Sequence, residues 1–240
     1  AMKAVAIFKW APNPDDALVR VDGTVNWSTA RHDVGDDDHA AMACAMAAAD
    51  GDEVVGLCVG GGDTSFAAAR GAERTVVLEG FPVPTDSMTM ARALVEEIKG
   101  VEDAGLVAMG DADWDPMVAP LVAALLGWPL LTAVDGVAVA DGGLVVTRRH
   151  GMGTQDIAVT GPVVVDVAAR REEEEKPGMR QVLAARKKPS DTKTVEGERS
   201  SFSSRGTRLP EATSSRLFDG SDPADAVEQL VSALKADGVL

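Results

Sequence analysis

The sequence predicts an α/β fold: a doubly wound, mainly parallel sheet with helices on both faces, followed by an extended C-terminal arm that ends in a helix. Short aliphatic runs alternate with Ala-rich or amphipathic segments, a pattern typical of strands alternating with helices. The 240 residues are also 45% hydrophobic but only 4% aromatic. Apolar content that comes mostly from Ala, Val and Leu favours α/β layers over an aromatic-rich sandwich.

The predicted elements alternate through the first three quarters of the chain. Aliphatic runs predict buried strands at 2–8, 53–59, 75–78, 104–109 and 162–167. Composition and helical spacing predict helices at 40–49, 86–99, 117–126 and 179–185, and a further Ala-rich helix that ends at Gly71. Asp-Gly turns between alternating residues predict hairpins at 18–27 and 134–146.

The last quarter of the chain has a different composition. Residues 189–222 are rich in Ser, Thr, Arg, Gly and Pro, which predicts an extended arm. Asp222 and Pro223 then open a final helix, which we expect to dock on the core of this chain or on a partner subunit. The sequence therefore predicts two parts, an α/β core over 2–188 and an arm with its helix over 189–240.

Charge and cysteine content limit the possible functions. The formal net charge is -15, which argues against non-specific nucleic-acid binding and against an anionic membrane surface. Cys44 and Cys58 lie in apolar surroundings without CxxC spacing, which favours buried thiols in a reducing compartment. No apolar run reaches the roughly 20 residues of a membrane span. We therefore expect a cytoplasmic protein without membrane insertion.

Three predicted strands end in Gly- or Asp-rich segments, after Phe8, Val59 and Met109. Ligands of doubly wound sheets bind beyond the carboxyl ends of the strands. We expect these three strand ends to meet at one crevice. The three histidines and two cysteines have no metal-ligand spacing, so no metal site is predicted.

Several motifs in order carry a family resemblance. Pro162 to Lys188 runs without a gap through a Val-rich strand, a charged loop and a helix that ends in Lys-Lys. The other matching motifs are Gly71-Ala72 before Arg74, Gly127-Trp128-Pro129, Thr147-Arg148, and Ala236 to Leu240 at the end. With these motifs the sequence resembles the β subunit of electron transfer flavoproteins over nearly its whole length. Gly60-Gly61 and Gly110-Asp111 resemble the branch associated with carnitine metabolism and nitrogen fixation.

The resemblance implies a subunit of an electron carrier rather than an enzyme. Family β subunits form a heterodimer with an α subunit that holds the redox-active FAD, and they themselves hold AMP, or a second FAD in bifurcating members. The C-terminal arm wraps around the α subunit, and an exposed loop docks on an acyl-CoA dehydrogenase or similar flavoprotein. No catalytic residue is expected of the β chain, since the chemistry belongs to the flavin.

The resemblance also places a nucleotide site, although the side chains depart from the family pattern. Where the family has Asn-Pro-Phe, this chain has Gly35, Asp36 and Asp37; where it has Gln-Thr-Gly at a helix start, this chain has Met117, Val118 and Ala119. Backbone N–H groups at that helix start would face the phosphate. The predicted cofactor-binding residues are Ile7, Lys9, Gly35, Asp36, Asp37, Asp38, Val59, Gly110, Asp111, Asp113, Asp115, Met117, Val118 and Ala119.

The acidic residues leave an alternative open. Up to six carboxylates near the crevice would repel a nucleotide phosphate. A degenerate family member that acts as a scaffold or regulatory interaction module, without nucleotide, is therefore the second hypothesis.

The partner-recognition loop is expected over 168–188. Met179 falls where the family places an apolar residue that inserts into the dehydrogenase, and methionine is a flexible apolar anchor. The charged residues of the predicted docking surface are Arg170, Arg171, Glu172, Glu173, Glu174 and Glu175. The four glutamates predict a partner with a basic docking face.

Overall fold

A computed structural model describes residues 2–62, 64–81, 85–110, 115–168, 176–196, 203, 205–211 and 215–240. The strands are β1 (Lys3–Lys9), β2 (Ala11–Pro12), β3 (Leu18–Val19), β4 (Val25–Asn26), β5 (His32–Asp33), β6 (Val54–Val59), β7 (Arg74–Glu79), β8 (Ala104–Gly110), β9 (Leu130–Ala140), β10 (Gly143–His150), β11 (Gly153–Val159), β12 (Val163–Val167) and β13 (Ser190–Thr194). The helices are α1 (Asp38–Ala49), α2 (Ser65–Ala69), α3 (Ser87–Lys99), α4 (Val118–Leu126), α5 (Met179–Ala185) and α6 (Pro223–Ala236).

The chain divides into two compact units. The first contains Ala1–Leu18 and Val25–Arg205, and the second contains Val19–Thr24 and Gly206–Leu240. The division of the chain at residue 188, which the sequence predicts, stays a prediction.

The first unit is built on a nine-stranded sheet. Its strand order is β11-β10-β9-β12-β8-β1-β6-β7-β13. From β9 to β13 every neighbouring pair is parallel, whereas β9, β10 and β11 form an antiparallel meander at one edge. The α/β, doubly wound, mainly parallel fold predicted from the sequence is confirmed.

Helices cover both faces of the parallel part of the sheet. On one face α1 and α2 pack over the strands, and on the other face α3 and α4 do so. Strand β6 has all six residues buried, because a parallel strand between two helical layers exposes neither face to water. Four alanines on one side of α1, Ala41, Ala45, Ala48 and Ala49, are almost completely buried. Their short side chains let the helix approach the sheet closely.

Strand β9 is irregular where it leaves the parallel part of the sheet. Ala133 has a φ of 56°, and the pairing of β9 with β12 shifts register between Val165 and Val167. This geometry is typical of a bulge that bends a strand and increases its twist. Beyond it, the hairpin predicted at Asp141 and Gly142 is confirmed between β9 and β10.

The edge strand β13 follows directly on α5. Its five residues are all exposed, and it extends the sheet by pairing with β7. The Lys188 side chain donates to Ala72 O at 2.7 Å, and Ala185 packs on Ala68 and Ala69 of α2. The sequence predicts only an extended arm here, since a strand without apolar residues leaves no periodic signal.

The second unit contains the hairpin turn and the final helix. Arg20 N–H donates to Thr24 O at 2.9 Å across the predicted Asp22-Gly23 turn. Helix α6 begins as predicted: Asp222 caps it by accepting from Ala224 N at 3.0 Å, and Pro223 takes the first helical position. None of the described residues of α6 is buried.

Candidate functional site

One buried carboxyl group joins two segments at the carboxyl end of the sheet. Strand β1 ends at Lys9, and α1 begins at Asp38 after a short acidic turn. The Oδ2 atom of Asp38 accepts hydrogen bonds from Lys9 N at 3.1 Å and from Gly35 N at 2.7 Å. Asp38 therefore fixes the turn before α1 to the end of β1.

The end of β8 packs against the same carboxyl group. A Cβ atom placed on Gly110 would lie 2.8 Å from Asp38 Oδ1 and 3.1 Å from the carbonyl carbon of Asp37. Real Cβ contacts essentially never fall below 3.0 Å, so this close approach requires glycine at position 110.

Burial dominates the electrostatics of this group. Asp38 is only 5% exposed. Burial raises its pKa from 3.8 to about 7, and the nearby Asp37 adds to the rise, whereas the two backbone N–H groups and Lys9 oppose it. Burial lowers the pKa of Lys9, and the carboxylates of Asp115 and Asp38 oppose that change.

A cavity of about 630 Å³ opens beside Asp38. This volume lies within the range of about 300–1,000 Å³ that is usual for small-molecule sites. The described residues that line the cavity are Lys9, Ala11, Pro12, Asn13, Pro14, Asp15, Trp27, Asp33, Val34, Gly35, Asp36, Asp37 and Asp38. Five aspartates and one lysine make the described lining strongly acidic.

The end of β6 is filled by the chain's own indole. Trp10 N donates to Val59 O at 3.0 Å, and a Cβ on Gly62 would overlap the Trp10 ring. Gly60 turns there with a φ of 86°. The Val59 side chain points into the core, so it does not line the described cavity.

The start of α4 is occupied by a carboxylate from the same chain. Asp115 Oδ1 accepts from Ser87 Oγ at 2.8 Å and from Met117 N at 3.3 Å. The helix begins at Val118, one residue later than the sequence predicts. Residues 115–118 form a turn before the helix, in which Val118 N–H donates to Asp115 O at 3.2 Å. An acidic group at a helix N-terminus complements the helix dipole.

Comparison with known proteins gives the family. The model of the electron transfer flavoprotein domain matches residues 28–197. The chain belongs to the electron transfer flavoprotein family. Among its relatives is the electron transfer flavoprotein subunit beta of Syntrophomonas wolfei, 28% identical over 70% of this chain and 68% of that protein. Another is the subunit beta of Bradyrhizobium diazoefficiens, 30% identical over 53% of this chain and 51% of that protein.

These relatives place the chain with the β subunits of electron transfer flavoproteins, which confirms the resemblance drawn from the sequence. The assignment to the branch associated with carnitine metabolism and nitrogen fixation stays a prediction. No helix of the described residues has both the length and the apolar character needed to cross a membrane.

The structure separates the predicted nucleotide-site residues into groups. Lys9, Gly35, Asp36, Asp37 and Asp38 line the cavity together. Gly110 packs against Asp38 but is not among the described residues that line the cavity. Four of the predicted residues have side chains buried in the core, so only their backbone groups are available to a ligand: Ile7, Val59, Val118 and Ala119. Two others, Asp115 and Met117, lie at the start of α4. The last two, Asp111 and Asp113, lie outside the described residues.

One wall of the cavity was not predicted from the sequence. It is formed by residues 11–15, together with Trp27, Asp33 and Val34. The two prolines after β1 indicate only that the strand ends. The pairing of β2 with β5 brings this segment opposite the acidic turn, and strands of two residues leave no periodic signal in a sequence.

The predicted docking surface of this β subunit is described in part. Met179 begins α5 and is 74% exposed, and Leu183, one turn later, is 52% exposed. Arg170, Arg171 and Glu172, Glu173, Glu174 and Glu175 lie outside the described residues. Among the described residues no group of three or more His, Cys, Asp or Glu side chains is arranged to hold a metal ion.

Proposed function

We propose that the chain is the β subunit of a heterodimeric electron transfer flavoprotein, an electron carrier that passes electrons between flavoprotein dehydrogenases and an acceptor. The match of residues 28–197 to the family domain carries this proposal. The redox chemistry would be that of FAD held mainly by an α subunit. The β chain would support the flavin domain and present docking surfaces, without catalytic residues of its own.

The final helix supports pairing with an α subunit. Helix α6 has apolar residues at helical spacing, yet Val227 is 59% exposed and Leu230 is 44% exposed. Leu217, before the helix, is 93% exposed. Exposed apolar side chains clustered on one segment are typical of a surface that a partner covers. We propose the α subunit as that partner.

The exposed apolar pair on α5 supports docking of a flavoprotein dehydrogenase. Met179 and Leu183 are four residues apart, so they share one face of the helix. Such a face suits a hydrophobic groove on a partner. The basic character of the partner's surface, expected from the four glutamates before it, stays a prediction.

The cavity beside Asp38 is the candidate site for AMP or a second FAD in the β subunit. Its volume and its position at the carboxyl end of β1 suit a nucleotide. Its charge does not suit a phosphate dianion, because five aspartates face one lysine. The acidity favours the second hypothesis, a family member that binds no nucleotide and acts as an interaction module.

Co-expression with an electron transfer flavoprotein α subunit from the same organism tests the proposal. The expected result is a yellow 1:1 complex whose flavin is reduced by a partner dehydrogenase and reoxidised by an acceptor. Chromatography of the nucleotides released by acid identifies FAD alone, FAD with AMP, or two FAD per complex. A colourless chain that self-associates and binds no α subunit would instead support the interaction module.

A further inference from the structure

The strand order indicates where a ligand of this sheet would bind. From β1 the chain proceeds to β6 and β7 on one side, whereas β8 and β12 lie on the other side. The order therefore reverses between β1 and β8, which end at Lys9 and Gly110. Ligands of open α/β sheets bind outside the carboxyl ends of the strands at such a reversal. The phosphate of a nucleotide is expected just beyond these two residues.

The acidic turn before α1 fills that position. It packs so closely on the end of β8 that a Cβ on Gly110 would lie 2.8 Å from Asp38 Oδ1 and 3.1 Å from Asp37 Cβ. The backbone N–H groups of Lys9 and Gly35, which could bind a phosphate oxygen, instead donate to Asp38 Oδ2. A carboxyl group of the chain thus accepts the hydrogen bonds that an anionic ligand would need at the end of β1.

The start of α4 is closed in the same way. Met117 N–H donates to Asp115 Oδ1 at 3.3 Å, and Val118 N–H donates to Asp115 O at 3.2 Å. Pro120 has no N–H. Of the first three residues of α4, Ala119 alone keeps an N–H for a ligand. A helix N-terminus binds an anion through several N–H groups that point at it, so this helix start is poorly suited to a phosphate.

Asp115 makes the contacts that a phosphate would make. Its Oδ1 atom also accepts from Ser87 Oγ at 2.8 Å, and its charge interacts with the Lys9 ammonium, as does that of Asp38. Hydroxyl groups, backbone N–H groups and lysine are the groups by which proteins hold phosphate. A phosphate dianion would have to compete with two carboxyl groups of the chain for these partners.

The chain's own indole covers the neighbouring strand end. Trp10 directly follows β1, its backbone N–H donates to Val59 O at 3.0 Å, and a Cβ on Gly62 would overlap its ring. The ring also stacks on that of His32, with the two centroids 6.5 Å apart. The indole therefore takes up the space over the end of β6 that a planar base would need.

The cavity beside Asp38 offers no second position for a phosphate. Its described lining contains neither Gly110 nor the start of α4, so it draws no donors from that helix. Five aspartates outweigh one lysine in the described lining, and their charge repels an anion. A nucleotide in the cavity would lack the donors that its phosphate requires.

We propose that this β chain holds no nucleotide, because Asp38 and Asp115 take the place of a bound phosphate and Trp10 takes that of a base. The inference rests on the proposed function and fixes its cofactor content: the αβ complex carries FAD in the α subunit alone. Electron transfer does not require a nucleotide in the β chain, since the redox chemistry belongs to the flavin. The chain combines the electron-carrier role of the first hypothesis with the nucleotide-free state of the second.

Nucleotide analysis of the complete αβ complex tests the inference without any variant. We expect acid to release one FAD per complex and no AMP. Equilibrium dialysis against millimolar AMP should leave no more AMP on the protein side than in the buffer. Stoichiometric AMP, a second FAD, or AMP retained by the protein in the dialysis overturns the inference.

Asp115→Ala tests whether this carboxylate stands in for a phosphate. The change removes the acceptor of Ser87 Oγ and Met117 N and a negative charge near Lys9. The melting temperature of the complex should fall by about 2–4 °C, as expected for the loss of about 1 kcal/mol. Inorganic phosphate at millimolar concentration should restore most of that loss, beyond any change that it causes in the wild-type complex.

Asp222→Ala is the matched control for the loss of an acceptor at a helix start. Asp222 accepts from Ala224 N at 3.0 Å at the start of α6, so this variant also leaves helix N–H groups without their carboxylate. We expect phosphate to restore none of its melting temperature. If phosphate fails to stabilise Asp115→Ala, or stabilises Asp222→Ala equally, Asp115 does not replace a phosphate and the inference is overturned.

The results separate this inference from the proposed function. A yellow, redox-active complex that contains AMP or a second FAD overturns the inference and leaves the electron-carrier role in place. Failure to form any complex with the α subunit refutes the proposed function, on which the inference rests.

Discussion

Replacement of Asp38 by asparagine should make the chain more stable at high pH. Asparagine keeps an oxygen for the N–H groups of Lys9 and Gly35 and cannot ionise. The folded-state pKa of Asp38 is raised from 3.8 to about 7, so the folded chain holds this proton more tightly than the unfolded chain does. Its stabilising contribution is complete below pH 3.8 and is lost as the pH rises through 7.

The magnitude follows from the pKa difference. A difference of about 3 in pKa corresponds to roughly 4 kcal/mol, at 1.36 kcal/mol for each unit. Integrated between pH 5 and 8, the wild-type chain loses about 3 kcal/mol of unfolding free energy through this group, whereas Asp38→Asn loses none of it. The free-energy difference between variant and wild type should therefore shift in favour of the variant by that amount.

Urea denaturation of the chain at pH 5, 6, 7 and 8 measures this shift. Asp36→Asn is the matched control, since it removes an exposed carboxylate two residues away and should leave the pH dependence as in the wild type. A difference between Asp38→Asn and wild type that stays constant over the four pH values would refute the reasoning. The reasoning would also be refuted if the unfolding free energy of Asp38→Asn minus that of wild type were smaller at pH 8 than at pH 5.

Two further predictions concern packing and docking. Gly110→Ala places a Cβ 2.8 Å from Asp38 Oδ1 and should lower the unfolding free energy by about 1–3 kcal/mol. Gly136→Ala is the control and should cost less, because nothing lies within 4 Å of its added Cβ. Thermal denaturation of both variants measures the contrast. Met179→Ala should leave the melting temperature unchanged, because that side chain is 74% exposed, and should slow electron transfer to the partner dehydrogenase, measured by flavin reduction in the αβ complex. Equal rates for Met179→Ala and wild type would contradict the docking role.

The parallel part of the fold was predictable because the pattern of apolar residues along its elements matches the pattern of burial. The run from Val54 to Val59 is buried on both sides, and it consists mainly of aliphatic residues. Helix α3 shows its apolar stripe at Met90, Leu94, Val95 and Ile98, all of them buried. In both cases a local pattern in the chain matches the environment that the fold supplies.

Other parts depend on contacts that no local pattern records. Strand β13 has the sequence SDTKT and is fully exposed, so only its backbone pairing with β7 makes it a strand. The bulge at Ala133 needs a positive φ, which alanine does not signal. The wall of the cavity formed by residues 11–15 is in place because β2 pairs with β5 across about twenty residues. Long-range pairing of such short segments leaves no periodic trace.

One carboxyl group in the acidic turn has both a structural and an electrostatic consequence. At the end of β1 the structure requires an acceptor for Lys9 N and Gly35 N, and Asp38 supplies it from the first residue of α1. This acceptor is a carboxyl group that is only 5% exposed, and its burial raises its pKa to about 7. A structural hydrogen-bond acceptor is thereby also a titratable group within the cavity. The surfaces proposed to pair with the α subunit and the dehydrogenase, on α6 and α5, carry none of this chemistry. Electron-carrier activity and ligand binding in the cavity should therefore respond independently to mutation.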